Sequence, residues 1–175
     1  MKQAAREERI HLLYLDESGM SNVPNVQRAW SPLGMPHSAD ASVSRRRVNI
    51  LGALDYGKNA LEHVLHEGSV KRNNVMAFID QLAMKYADKP IIVVLDNASI
   101  HHNIDEEKER EWLIKNQLTL WNLPTYSPEL NLIEIVWKHA KYHWRKFTTW
   151  NKENLLDEVE KIFQEYGSKY QISYA

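Results

Sequence analysis

Three carboxylates stand where ordinary patterning does not ask for them: Asp16 in "YLDESG", Asp96 in "VVLDNASIHH" and Glu134 in "SPELNLIEIVWKHAK". Both aspartates close apolar runs, and Glu134 interrupts the pair Ile133 and Ile135. A plain reading makes the aspartates turn starters and Glu134 one half of an i,i+4 pair with Lys138, worth a few tenths of a kcal/mol. If the three instead meet in one crevice, they repel each other, and a cation is needed to relieve them. A hard divalent ion suits that donor set: Mg2+, with Mn2+ as a substitute, keeps several waters, accepts a few carboxylates and binds phosphate oxygens. Two such ions, about 3.5–4 Å apart, activate a nucleophile and stabilise a leaving 3′ oxygen in phosphodiester chemistry.

Such a crevice requires particular elements. Asp16 is expected near the end of a first strand, "HLLYLDESG" (residues 11–19), and Asp96 at the carboxyl end of "PIIVVLDNAS" (90–99), a run apolar enough to be buried on both faces. In an open α/β sheet the space beyond such strand ends is where ligands bind. Residues 46–68 read as two strands joined at Tyr56-Gly57-Lys58-Asn59. Apolar residues at Val75, Phe78, Ile79, Leu82 and Tyr86 predict a helix over 73–87, capped by Asn73 or Asn74. A polar helix over 105–117 carries acids in its first turn, a short strand over 118–124 stops at Pro124, and helices follow over 129–146 and 151–166. On the last of these, Leu155, Leu156, Val159, Ile162 and Phe163 share one face. The order predicts an α/β domain with a mixed five-stranded sheet, three antiparallel meander strands plus two parallel strands, flanked by helices. That is an RNase H-like layout in a single domain.

On a helix turning about 100° per residue, Leu130, Ile133, Val136, Trp137, Ala140 and Trp144 form the core face, with Glu134 at its edge. Lys138, Lys141 and Arg145 fall on the side of Glu134, a basic stripe suited to flanking phosphates, with Tyr142 and Trp144 interleaved. Arg45, Arg46 and Arg47 form a second basic patch. Elsewhere charge is balanced: the formal net charge is −1, so nucleic acid would be gripped by local patches and not by bulk charge. A chain of 175 residues with 43% apolar content can bury one core, and no run approaches the length of a membrane span. The absence of cysteine excludes disulfides and thiolate metal sites and fits a reducing cytoplasm. The first ten residues lack the apolar stretch of a secretory signal.

In their order, "YLDESG", "RAWSPLG", "VVLDNASIHH" and "LPTYSPELNLIEIVWKHAK" resemble the catalytic domain of DDE transposases, in particular the bacterial insertion-sequence members of the mariner superfamily, also called DDE superfamily endonucleases. The resemblance covers residues 14 to 141 and implies an RNase H-like fold with Asp16, Asp96 and Glu134 as catalytic and metal-binding triad. It further implies metal-dependent hydrolysis of DNA at the ends of a mobile element, then attack of the freed 3′-OH on target DNA. The implied partners are transposon-end and target DNA, and a second copy of the chain in the synaptic complex. His101, in a loop where the family often carries histidine, joins Arg45, Arg46, Arg47, Lys138, Lys141 and Arg145 as a candidate DNA contact. Two departures stand out: Leu132 replaces the family's usual Pro, and the spacing from Asp96 to Glu134 is somewhat long for bacterial members. The family's N-terminal helix-turn-helix region is expected to be absent. Two alternatives stay open: an RNase H-like hydrolase without strand transfer, and a non-catalytic remnant that binds DNA through the helix after Leu130.

Overall fold

A computed structural model describes residues 1–22, 31–35, 46–98, 104–125, 127–144 and 154–173. After a short helix α1 (Lys2–Arg6) come strands β1 (His11–Ser21), β2 (Arg47–Asp55) and β3 (Ala60–His66), then α2 (Arg72–Lys85), β4 (Ile91–Leu95), α3 (Glu106–Asn116) and β5 (Leu118–Asn122). A 3-10 turn (Pro128–Leu130) leads into α4 (Ile133–Trp144), and α5 (Leu155–Gln164) follows. The five strands form one sheet in the order β3-β2-β1-β4-β5. β1 pairs antiparallel with β2, and β2 with β3, while β4 runs parallel to both β1 and β5. This is the mixed sheet that the sequence order predicts.

Local chemistry accounts for the turns. The Asp55 carboxylate accepts the backbone N–H groups of Gly57 and Lys58 at 2.9 and 3.1 Å and so closes the β2–β3 connection. Asn59 supplies the positive φ of 50° that this tight return needs. Asp105 caps α3 by accepting from the Glu107 N–H, and Gln117, in the left-handed region, ends the helix. At α2 the cap differs from expectation. Lys71 occupies the N-cap, and Asn74, three residues on, accepts the Lys71 N–H at 2.9 Å, the reciprocal half of a capping box.

Strand alternation separates two apolar layers. On one face Leu13, Leu15, Leu51, Val93 and Leu95 meet α2 and α3 through Phe78, Ile79, Leu82 and Trp112. On the other, Leu12, Tyr14, Ile50, Leu54 and Val94 meet α4 and α5 through Ile133, Val136, Trp137, Ala140, Leu155, Val159 and Phe163. The core face expected for α4 is thus present with one correction. Leu130 is 47% exposed, because residues 128–130 form a 3-10 turn whose tighter winding breaks the phase extrapolated from the helix. On α5, Leu156 lies at the rim, 36% exposed.

Candidate active site

Asp16 was expected near the end of its strand, but β1 runs on to Ser21 because β2 accompanies it as far as the pair Ser21 and Arg47. The parallel partner stops sooner: the β1–β4 register ends at Tyr14 opposite Val94, and β4 itself ends at Leu95. Continuing that register by two residues sets Asp96 level with Asp16. Both residues keep the parity of Tyr14 and Val94, which face α4. Asp16 therefore sits where the sheet loses a strand, and α4 lies over the gap. Glu17, its neighbour, is exposed and takes the opposite parity.

Asp16 is only 6% exposed. Its Oδ2 accepts a hydrogen bond from the Trp137 indole Nε1–H at 3.0 Å. One residue earlier, the Leu15 carbonyl accepts from Asn131 Nδ2 at 3.0 Å, also in a buried position. Asn131 and Trp137 flank Glu134 by three residues on either side, so these two bonds tie the segment leading into α4 and the helix's second turn to β1. Glu134 is exposed at the rim of the crevice, in the first turn of α4. Asp96, half-buried, accepts the Ala98 N–H at 3.0 Å, and Asn97 ties the same loop to β5 by donating to the Leu123 carbonyl at 2.7 Å.

The charges meet electrostatically at Asp16. Burial pushes its carboxyl up to about 7; a hydrogen bond from the Glu17 backbone opposes the rise, the negative charges of Asp96 and Glu134 add to it, and the Trp137 indole opposes it. Asp96 and Glu134 thus lie near enough to Asp16 for their charges to act on it. Their donor set is all oxygen, which fits a hard divalent cation and not a soft one. Among the described residues, no three histidine, aspartate or glutamate side chains are gathered so that they could together hold a metal ion.

Gly52 is opposite Asp16 in the β1–β2 register. A Cβ built there would lie 2.5 Å from Trp137 Cη2 and 3.3 Å from Ile133 Cδ1, so the missing side chain is the slot in which the indole lies. Gly52→Ala should destabilise the domain by about 1–3 kcal/mol, since a fully buried ring cannot retreat without displacing its neighbours. Urea denaturation of the two proteins measures this directly. A mutant as stable as the wild type would show that the ring has room to move.

The candidate DNA contacts are not gathered to the same degree. Lys138 is exposed and Lys141 half-buried on α4, following Glu134. Arg46 is exposed, and its backbone N–H donates to Asn22. Arg47 donates to Asn49 at 2.7 Å and lies across Gly19, whose parity is that of Leu13 and Leu15. By strand alternation that is the face of the sheet turned away from Asp16. Arg45, His101 and Arg145 lie outside the described residues, as does the side chain of Trp144. The positions that sequence reasoning missed are Asn131 and Gly52, together with the polar role of Trp137, which was assigned to the core alone. The signal for Asn131 and Trp137 was present in their three-residue spacing about Glu134.

Known proteins resemble this chain in sequence and fold. Over 55 residues the chain is 31% identical to the Transposable element Tcb2 transposase of Caenorhabditis briggsae, a stretch covering 31% of this chain and 20% of that protein. The fold superposes on the Mos1 strand transfer complex with a TM-score of 0.63 at 16% identity, over 93% of this chain and 52% of that one. It superposes on the Mos1 mariner paired end complex with Mn with a TM-score of 0.64 at 15% identity, over 93% and 54% respectively. This chain thus spans about half the length of these structural relatives, and the shared sheet is an RNase H-like fold. The family model of the DDE superfamily endonucleases matches residues 11–157, a span that holds the whole sheet and all three acids, and the chain belongs to that family.

Proposed function

We propose that this domain catalyses DNA transposition: metal-dependent cleavage at the ends of a mobile element and transfer of the freed 3′-OH into target DNA, as a member of the bacterial insertion-sequence branch. The observation that carries the reading is the strand register that sets Asp96 level with Asp16 at the sheet's edge, with Glu134 in the first turn of the helix above it; the charges of Asp96 and Glu134 both raise the Asp16 carboxyl, which supports the reading. Membership of the endonuclease family and the likeness to a strand transfer complex support it. The likeness to a complex with Mn supports the metal, two Mg2+ ions being the natural complement.

Asp16, Asp96 and Glu134 would hold the ions, Asp16 from the floor of the crevice, Asp96 from the loop after β4 and Glu134 from the rim. When bound, divalent ions supply activation of the attacking oxygen and stabilisation of the leaving 3′ oxygen. Lys138 and Lys141, following Glu134 along α4, hold the phosphates flanking the scissile bond, as point charges that fix register without reading sequence. A second copy of the chain would bring the other element end.

The test is a joining assay. Element-end DNA with a free 3′-OH, incubated with target duplex and Mg2+, should yield a covalently joined product that disappears on chelation. Cleavage without joining would replace this reading with an RNase H-like hydrolase. DNA binding that depends on Lys138 and Lys141 but supports no metal-dependent chemistry would replace it with a non-catalytic remnant.

A further inference from the structure

We propose that Asn131 and Trp137 act as a two-point clamp, positioning residues that hold Glu134 and Asp16 at a fixed mutual distance so that the acids can share a cation. The inference rests on the metal reading of the acids given above. Its basis is the pair of buried hydrogen bonds onto consecutive residues of β1: Asn131 Nδ2 to the Leu15 carbonyl and Trp137 Nε1 to Asp16 Oδ2, each 3.0 Å. The apolar face of α4 seats the helix on the sheet, and the two bonds, on either side of Glu134, set its height and rotation beside the acids. The second bond also fixes one oxygen of Asp16, leaving the carboxylate a single orientation.

Two observations show that these side chains do more than fill space. Asn131 Oδ1 is buried without a hydrogen-bond partner among the described residues, although a leucine of similar shape would avoid that cost. The amide is therefore kept for the bond its Nδ2 makes. Trp137, 1% exposed, reaches Asp16 only because Gly52 leaves a slot above the sheet, and its edge-on contact with Phe163, at 5.6 Å between ring centroids, holds the ring's plane. Sheet, helix and glycine thus converge on the orientation of one carboxylate. Groups that orient metal-binding carboxylates from behind are worth about 10- to 100-fold in metal affinity.

The experiment is Mn2+ binding by calorimetry. Trp137→Phe keeps the ring and removes the donor, and Asn131→Leu keeps the shape and removes the amide; each should weaken Mn2+ binding about tenfold or more. Val159→Ala, a cavity in the same apolar layer that leaves both clamp donors and acceptors in place, serves as control: it should lower the melting temperature and leave Mn2+ affinity unchanged. Wild-type affinity in Trp137→Phe would overturn the clamp. Equal binding by wild type and Asp96→Asn would overturn the metal reading, and the clamp's purpose with it. A readout without metal separates the two failures: the Trp137 indole N–H resonance should shift in Asp16→Asn while that of Trp112, which donates to Asp80 at 2.7 Å, stays in place. An unmoved Trp137 resonance would show that the bond itself does not form.

Discussion

Asp96→Asn and Glu134→Gln should each lower Mg2+-dependent DNA cleavage by about three decades or more, while thermal melting in the absence of metal stays close to wild type. The loss would follow from removing one of the charges proposed to anchor the cation: a metal supplies several kcal/mol of transition-state stabilisation, and about 4 kcal/mol is three decades. The fold should hold for reasons specific to each position. Asp96 accepts the Ala98 N–H, and an asparagine oxygen can accept it equally well. Glu134 is exposed, and what it gives α4 is a first-turn charge worth about 0.3–1 kcal/mol. Cleavage kinetics on nicked or branched DNA, alongside melting curves, measure both halves. A wild-type cleavage rate in either mutant would remove these acids from the chemistry, and a collapsed melting transition would show that they serve the fold.

The elements that carry the acids were readable because their signals are local and strong. β4 is a run of five residues whose composition allows little but a central strand, and the β2–β3 hairpin carries its own turn chemistry in Asp55, Gly57 and Asn59. Helix ends were less legible, because capping depends on side-chain geometry that sequence does not fix: Asn74 accepts a hydrogen bond from the cap residue but is not itself the cap. α1 escaped notice altogether. Five residues are too few for periodicity, and its anchor is tertiary, Ala5 buried in the layer beneath α4 and α5 with its carbonyl close to Gly57. The site divided in the same way. Asp16, Asp96 and Glu134 stand in segments whose patterns announce them, whereas the roles of Asn131, Trp137 and Gly52 depend on which strand residue lies opposite which. Register of that kind emerges only when the chain is folded. Arg47 makes the converse point: in sequence it joins a basic run, while in the sheet its odd position sends it to the face away from the acids.

Asp16→Asn should stabilise the metal-free domain at pH 8 while abolishing its activity. A carboxyl raised in the folded state from an ordinary 3.8 to about 7 favours its protonated form there. Below the lower value both folded and unfolded chains carry the proton, and Asp16 makes no difference to stability. Between the two values the unfolded chain ionises and the folded one does not, so stability falls as pH rises, and above about 7 the full cost of a buried, repelled charge is present. Three pH units correspond to roughly 4 kcal/mol. Asparagine removes that charge and still offers an oxygen to the Trp137 N–H, though its amide must find an acceptor of its own, at about 1–3 kcal/mol if it fails. A net gain of about 1–3 kcal/mol at pH 8, or about 2–12 °C in melting temperature, is the expected result. The advantage should vanish by pH 4, and saturating Mg2+ should narrow it at pH 8 by stabilising the wild type alone. Melting curves across that pH range, with and without Mg2+, measure each part. A mutant less stable than wild type at pH 8, or a gap that persists at pH 4, would show that Asp16 is held by its hydrogen bonds and not strained by its charge. If the gap behaves as expected, the domain gives up stability at the residue to which the proposed chemistry assigns the metal, and bound Mg2+ restores it.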